Sequence, residues 1–229
     1  MADSRIPSVE PRSLLAPALA AGALTLFFGV PGLGGDAADL WFQRLFWDGR
    51  AWLIPHDHPL GVALAYDGPK ALIIIWALLL VGLACFVRRV RARALYLLAC
   101  LAVVSLVATQ LRAVTGMATP LELKDFGGVH EHLLLFQAKP ADYPSHAFPA
   151  GHASGGFALL GLYWVLARRR WRGLALGVGV GSWMGFYQVA RGEHFLSHTL
   201  ATAALAWLLC AGLALAMRGP LNREVSSSS

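Results

Sequence analysis

Two histidines and an arginine near the end of the chain have the spacing of a chemically active helix face. The segment at residues 188–202 reads QVARGEHFLSHTLAT. If it is helical from Arg191 onward, then Arg191, His194 and His198 lie at positions i, i+3 and i+7 and share one face. That face stands at the start of an apolar run, residues 195–217, which is long enough to enter a membrane. Titratable side chains are costly there, so the cluster predicts a functional site.

A third histidine begins another apolar run. His152 follows Ala150 and Gly151 in the segment FPAGHAS, residues 148–154, and should lie in the first turn of a helix. The unpaired N–H groups of a first turn bind anions. We therefore predict that Ala150 and Gly151 take part in a phosphate-binding site. Three cationic residues are predicted to hold the same phosphate: Arg112, Lys124 and Arg191.

Phosphoryl transfer is the chemistry that these residues allow. Two imidazoles on opposite sides of a bound phosphate permit one to attack phosphorus while the other protonates the departing oxygen. Histidine suits both roles because its pKa starts near neutral pH. The predicted catalytic group is His194, His152 and His198. This scheme requires no metal and no cofactor.

The composition is that of an integral membrane protein. Of the 229 residues, 57% are hydrophobic and 14% are charged, whereas about a quarter of the residues of a soluble domain are charged. The net charge of +6, from 19 Lys and Arg against 13 Asp and Glu, would suit nucleic acid or anionic lipid. Because the arginines cluster between apolar runs, as in cytoplasmic loops, we expect membrane lipids as partners and no nucleic acid. The three cysteines lie inside apolar runs, which argues against a disulfide framework.

Six apolar runs, each of about 17–23 residues, match the roughly 20 residues that cross a bilayer as a helix. They are residues 14–30, 70–87, 94–111, 151–167, 173–190 and 195–217. We predict an all-α, polytopic membrane domain with six transmembrane helices over residues 13–218, between disordered tails at residues 1–12 and 219–229. The fifth run is rich in glycine and is expected to pack closely against its neighbours.

The arginine clusters orient the predicted helices. With six spans, both termini lie on the same side as the basic clusters at residues 88–93 and 168–172. The positive-inside rule assigns that side to the cytoplasm. The connection at residues 112–150 and the turn at residues 191–194 then face the opposite side. The candidate catalytic and phosphate-binding residues therefore lie on a non-cytoplasmic surface.

The order of these motifs resembles the type 2 phosphatidic acid phosphatase family, membrane relatives of the vanadium haloperoxidases. Arg112 with Pro120, then FPAGHAS, then RGEHFLSH are similar to the three motifs of that family, over residues 110–202. The resemblance implies that His194 is the nucleophile that forms a phosphohistidine and that His152 is the general acid. It also implies a phosphatase or phosphotransferase that acts on a lipid phosphate or pyrophosphate at the periplasmic face of a bacterial inner membrane.

The motifs differ from the usual residues of that family at five positions. Arg112 stands where the family has Lys, Thr119 and Gln188 where it has Arg, Ala150 where it has Ser, and His198 where it has Asp. Arg191, one helical turn before His194, is expected to supply a lost positive charge. Glu122, Asp125 or Glu193 is expected to supply the lost carboxylate. The segments TPLEL, FGG and RGEHFLSH together resemble a bacterial variant of the family, so we interpret the replacements as coordinated.

Two other functions stay open. The replacements at Thr119 and His198 motivate the hypothesis of a catalytically degenerate member that binds lipid headgroups without turnover. A metal-handling membrane protein would use histidines as ligands, namely His130, His132, His152, His194 and His198. Bound zinc or loss of activity with a chelator would favour the metal site, whereas a phosphohistidine mechanism is indifferent to chelators and blocked by vanadate.

Overall fold

The fold is helical in the residues that the structure describes, apart from two isolated β-bridges. A computed structural model describes residues 14–55, 58–144 and 146–226. The α-helices in these ranges are α1 (Leu15–Gly29), α2 (Gly35–Gln43), α3 (Pro59–Val62), α4 (Gly68–Phe86), α5 (Arg91–Thr115), α6 (Gly151–Ala158), α7 (Leu162–Val165), α8 (Arg170–Ala190), α9 (Leu196–Ala216) and α10 (Arg218–Ser226). A π-helical turn, Ala63–Asp67, joins α3 to α4.

Three helical segments of the described chain are long and apolar enough to cross a membrane: Pro59–Phe86, Arg88–Glu122 and Leu196–Ala216. They indicate a membrane protein. Helix α1 is apolar but has only 15 residues. The predicted fourth span is interrupted by a 3₁₀ turn, Leu159–Gly161, which separates α6 from α7. Each of the six predicted runs overlaps a helix. Six complete spans and cytoplasmic termini stay predictions.

The C-terminal segment differs from the predicted tail. Residues 219–229 were expected to be disordered, yet α10 covers this segment as far as Ser226. Leu221 is fully buried, and the Glu224 carboxylate accepts hydrogen bonds from the N–H groups of Ala92 (2.6 Å) and Arg93 (3.2 Å). An acidic group at the start of a helix satisfies free N–H groups and stabilises the helix dipole. Helix α10 therefore caps α5. The predicted tail at residues 1–12 lies outside the described residues.

Helix α8 packs on its neighbours through buried glycines spaced four residues apart, namely Gly173, Gly177, Gly181 and Gly185. A Cβ built on Gly181 would overlap the Phe157 ring of α6. One built on Gly156 would lie 2.7 Å from the Gly181 Cα. The backbones of α6 and α8 therefore touch, so the start of α6 lies beside the end of α8. The predicted close packing of the glycine-rich run is confirmed.

Gly181→Ala is expected to destabilise the fold, whereas Gly179→Ala is not. The methyl group added at residue 181 meets Phe157, and overpacking of this kind costs about 1–3 kcal/mol. At Gly179 an added Cβ has nothing within 4 Å, and alanine favours a helix over glycine by about 1 kcal/mol. Thermal unfolding in one detergent should give a lower midpoint for the first variant and an equal or higher one for the second. Equal midpoints for the two variants would contradict the observed packing.

Candidate active site

The segment that carries Arg191 and His194 is a turn. Helix α8 ends before Arg191 and α9 begins after His194, so the turn expected at residues 191–194 is present and the assumed helix from Arg191 onward is not. Gly192 has a φ of 78°, a conformation that favours glycine, and a Cβ there would overlap the Trp52 indole. This requirement for glycine breaks the helix and removes the single helical face that the spacing predicted.

The three histidines nevertheless lie together. The ring centroids of His152 and His194 are 6.1 Å apart, and those of His194 and His198 are 5.8 Å apart. His194 and His198 are both buried, and His152 lies in the first turn of α6. The structure thus brings two distant segments of the chain to one place.

Main-chain atoms join these two segments directly. The Ala150 N–H donates to the His198 carbonyl (3.2 Å), and the Thr202 hydroxyl donates to the Ala150 carbonyl (3.2 Å). The start of α6 is therefore fixed to the first turns of α9. The Ala150 N–H, which was predicted to bind phosphate, is instead bonded to the His198 carbonyl. The Gly151 N–H lies in the first turn, where a helix supplies no partner.

The environment of His194 suits a nucleophile. Burial, together with the neighbouring His198 and His152, lowers the pKa of His194 well below its usual value. The neutral imidazole, which has a lone pair free to attack, therefore predominates at neutral pH. The Nδ1 atom of His194 is buried and has no hydrogen-bond partner among the described residues, and the same holds for both ring nitrogens of His198.

Arg112 and Gly151 line the same cavity as His152. The cavity has a volume of about 330 Å³ and is lined by residues of α4, α5, α6 and α8. The Arg112 Nε–H donates to the His146 carbonyl (2.8 Å). The Arg112 guanidinium packs on Gly151, where an added Cβ would lie 2.7 Å from Nη1. Helix α5 thus places a positive charge at the start of α6.

The other two predicted phosphate cations differ in position. Arg191 is buried, lies 4.0 Å from the Glu193 carboxylate, and exerts its positive charge on His152. Lys124 is exposed, and its Nζ lies 2.5 Å from the Glu131 carboxylate. It is not among the residues that line the cavity. The structure therefore brings Arg191 to the histidine cluster and leaves Lys124 outside it, because a nearby carboxylate pairs with that lysine at the surface.

Two of the three carboxylates that were expected to orient His198 are engaged elsewhere. Glu122 accepts hydrogen bonds from the N–H (2.7 Å) and the hydroxyl (2.9 Å) of Thr119. Asp125 lies 3.8 Å from Arg44. The TPLEL segment is thus a capping motif for its own 3₁₀ turn, and the position of Thr119 is explained by that local bond.

A buried carboxylate that the sequence analysis missed lies at the start of α9. Asp39 of α2 accepts a hydrogen bond from the Ser197 N–H (3.1 Å), one residue before His198. Burial raises the pKa of Asp39 to about 6. The His198 ring packs edge-on against Phe148 and Phe195, at 5.3 and 5.5 Å between centroids. Asp39 therefore fixes the turn from which His198 projects.

Two cavity residues near the start of α4 were also missed. The Tyr66 hydroxyl lies 2.9 Å from the His152 Nε2, and Lys70 lines the cavity together with Arg112. Neither residue belongs to a recognisable motif. The only signal in the sequence was a lysine at the head of an apolar run, and a lysine that reaches toward lipid headgroups gives the same pattern.

Two of the remaining histidines of the connection lie against aromatic rings, and the third, His146, lies 3.3 Å from the Glu122 carboxylate. The His130 ring is 5.5 Å from that of Tyr143, and the His132 ring is 5.1 Å from that of Phe195. Over residues 14–55, 58–144 and 146–226, no group of three or more His, Cys, Asp or Glu side chains is arranged to hold a metal ion.

The chain matches a model of a known protein family. A family model described as the PAP2 superfamily matches residues 93–220. The matched region contains most of α5, all of α6 to α9, the cations Arg112 and Arg191, and all three clustered histidines. Searches of curated proteins and of solved structures found no match.

Proposed function

Because the chain belongs to the PAP2 superfamily, whose members are phosphatases, we propose that it releases phosphate from a lipid phosphate or pyrophosphate through a phosphohistidine on His194. The observation that carries the proposal is the 6.1 Å separation of the His152 and His194 rings, beside a cavity lined by His152 and Arg112. A phosphoryl group that contacts both imidazoles needs near-attack distances of about 3–3.5 Å to each, and rings at this separation can both reach one such group.

In the proposed reaction His194 attacks phosphorus, the bond from phosphorus to the lipid oxygen breaks, and His152 delivers a proton to that oxygen. Arg112 and Arg191 offset the negative charge of the group in transfer. In the second step His152 takes a proton from water, the water oxygen attacks the phosphohistidine, and inorganic phosphate leaves His194. A lipid hydroxyl in place of water would give transfer instead of hydrolysis. No step of this scheme uses a metal or a cofactor.

The position of the cavity supports a lipid substrate. It lies between α4 and α5, which belong to two of the segments apolar enough to cross a membrane. An apolar tail can extend between these helices while the phosphate reaches the histidines. The basic turns Arg88–Val90 and Ala167–Arg169 lie at the opposite ends of the helices that lead to the site. The positive-inside rule therefore supports a site on the periplasmic face of a bacterial inner membrane.

Phosphate release by the purified protein tests the proposal. The protein in detergent is assayed with a long-chain lipid phosphate and with a short-chain, water-soluble phosphate ester. We expect a higher kcat/KM for the long-chain ester, inhibition of both reactions by orthovanadate, and no effect of EDTA. Lipid binding without release of phosphate from any ester would favour the degenerate binder. Loss of activity with EDTA would favour the metal-handling alternative.

Gly151→Ala is expected to lower kcat/KM about 10- to 100-fold without unfolding the protein. The new Cβ would lie 2.7 Å from the Arg112 Nη1 and 3.0 Å from its Cδ, so the guanidinium must leave the start of α6. Loss of a hydrogen bond to a charged group costs about 1.5–3 kcal/mol, which corresponds to the stated change in rate. Gly179→Ala, which has open space, is the matched control. A wild-type kcat/KM for Gly151→Ala would contradict the role of Arg112.

A further inference from the structure

We propose that the start of α4 completes the site, with Lys70 as a phosphate-binding cation and Tyr66 as a positioning residue for His152. This inference rests on the proposed function and deepens it. Both residues precede the segment that matches the family model, residues 93–220. The matched segment therefore carries the reacting histidines, and a part of the chain that precedes it supplies further contacts to the same phosphate.

Tyr66 holds the His152 ring from the side of α4. Its hydroxyl lies 2.9 Å from the His152 Nε2, and the two rings are 4.8 Å apart between centroids. Tyr66 belongs to the π-helical turn Ala63–Asp67, a type of turn that is frequent at functional sites. The bond to Nε2 fixes the orientation of an imidazole whose Nδ1 is buried without a partner among the described residues. Tyr66 thus sets the direction in which His152 presents its proton.

Lys70 brings a positive charge to the same cavity. It lies four residues after Tyr66, one helical turn further on, so the two side chains share a face. Lys70 lines the cavity together with Arg112 and His152, and its charge acts on His152. The side chain is exposed, so it can meet a phosphate that enters from outside. A lysine ammonium is a common phosphate ligand in proteins.

Two positions that carry a cation in the resembling family lack one here, and Arg191 is expected to replace only one of them. Thr119 stands where the resembling family has an arginine, and its hydroxyl is held by the Glu122 carboxylate (2.9 Å). Gln188 stands at the second such position and lines the cavity with a neutral amide. Lys70 faces the same cavity from α4. We infer that it replaces a positive charge that the motifs have lost.

The test for Lys70 compares Lys70→Met with Lys70→Arg. Lys70→Met is expected to raise the KM for the lipid phosphate and the inhibition constant of orthovanadate by about 10- to 100-fold, while kcat changes less. Lys70→Arg should restore both constants to within a few fold of wild type, because it keeps the charge. Wild-type constants in Lys70→Met would overturn the assignment, as would a failure of Lys70→Arg to restore them when both variants keep the wild-type thermal midpoint.

The test for Tyr66 uses Tyr66→Phe, which removes only the hydroxyl. Because the hydroxyl orients the proton donor, kcat for an alkyl phosphate should fall about tenfold, and kcat for an aryl phosphate with an acidic leaving group should change little. Tyr163→Phe is the matched control, since the Tyr163 ring packs against Trp171 and Trp207 away from the histidines. An equal loss on both esters, or no loss on either, would overturn the positioning role.

Binding of inorganic phosphate separates a failure of this inference from a failure of the proposed function. A ligand that binds the folded state raises the thermal midpoint without any turnover. If the wild-type protein hydrolyses no ester but phosphate raises its midpoint and not that of Lys70→Met, the assignment of Lys70 stands and the proposed function falls. If phosphate raises the thermal midpoint of Lys70→Met as much as that of the wild type, the assignment of Lys70 is overturned whatever the turnover.

Discussion

His194→Asn is expected to lose phosphate release by about 10⁴-fold or more, the scale seen when a nucleophile is removed. Asparagine has no ring nitrogen that can attack phosphorus, so the covalent step is lost. The measurement is turnover together with covalent labelling. The protein is mixed with ³²P-labelled substrate and quenched in alkali, in which a phosphohistidine survives. Wild-type protein should carry the label and His194→Asn should not.

His130→Asn is the control for this experiment. His130 lies against Tyr143 in the connection. Its replacement by asparagine is expected to leave both turnover and labelling at the wild-type level. A labelled His194→Asn protein would place the nucleophile elsewhere. Turnover by the wild type without any label, in a rapid quench on the time scale of one turnover, would remove the covalent intermediate.

His152→Asn is expected to lose about 10²- to 10⁴-fold with an alkyl lipid phosphate, the usual contribution of general acid–base catalysis. With an aryl phosphate the first step should be nearly normal, because an acidic phenol leaves without a proton. The second step still needs His152 as the base. The variant should therefore release a rapid burst of the aryl alcohol, close to one equivalent per active site, and accumulate the phosphohistidine.

The burst distinguishes the two histidines. His194→Asn should show no burst with either ester, because no covalent bond forms. If His152→Asn lost activity equally with alkyl and aryl esters and gave no burst, the assignment of His152 as general acid would be wrong. The 6.1 Å separation of the two rings would then need another chemical explanation.

The helices and the place of His152 at the start of one of them were predictable because the signals are local. Hydrophobicity over about 20 residues defines an apolar helix, and α9 (Leu196–Ala216) lies within the predicted run. FPAGHAS places His152 in the first turn of α6 because the cluster of small residues and proline precedes a continuous apolar stretch. A turn at residues 191–194 was expected between two runs, but the loss of the shared helical face was not, because a helical spacing of charged residues can persist where a glycine requires a positive φ.

The contacts of Tyr66 and Asp39 with the histidine segments were not predictable. Tyr66 lies 86 residues before His152, and Asp39 lies 158 residues before Ser197. No periodicity connects such positions, because only the packing of α2 and α4 on the later helices brings them together. Helix α10 was missed for the same reason. Its composition is polar, and it is stabilised by the burial of Leu221 and by bonds to the start of α5.

The bond between the Ala150 N–H and the His198 carbonyl has an evolutionary consequence. Both groups belong to the main chain, so exchanging either side chain leaves the bond in place. Alanine and histidine can therefore stand where the resemblance implies Ser and Asp without loss of this contact between the start of α6 and α9. The side chains around the proposed phosphate site are thus free to vary in evolution at residues 150 and 198, because the main chain itself makes the bond between the two segments.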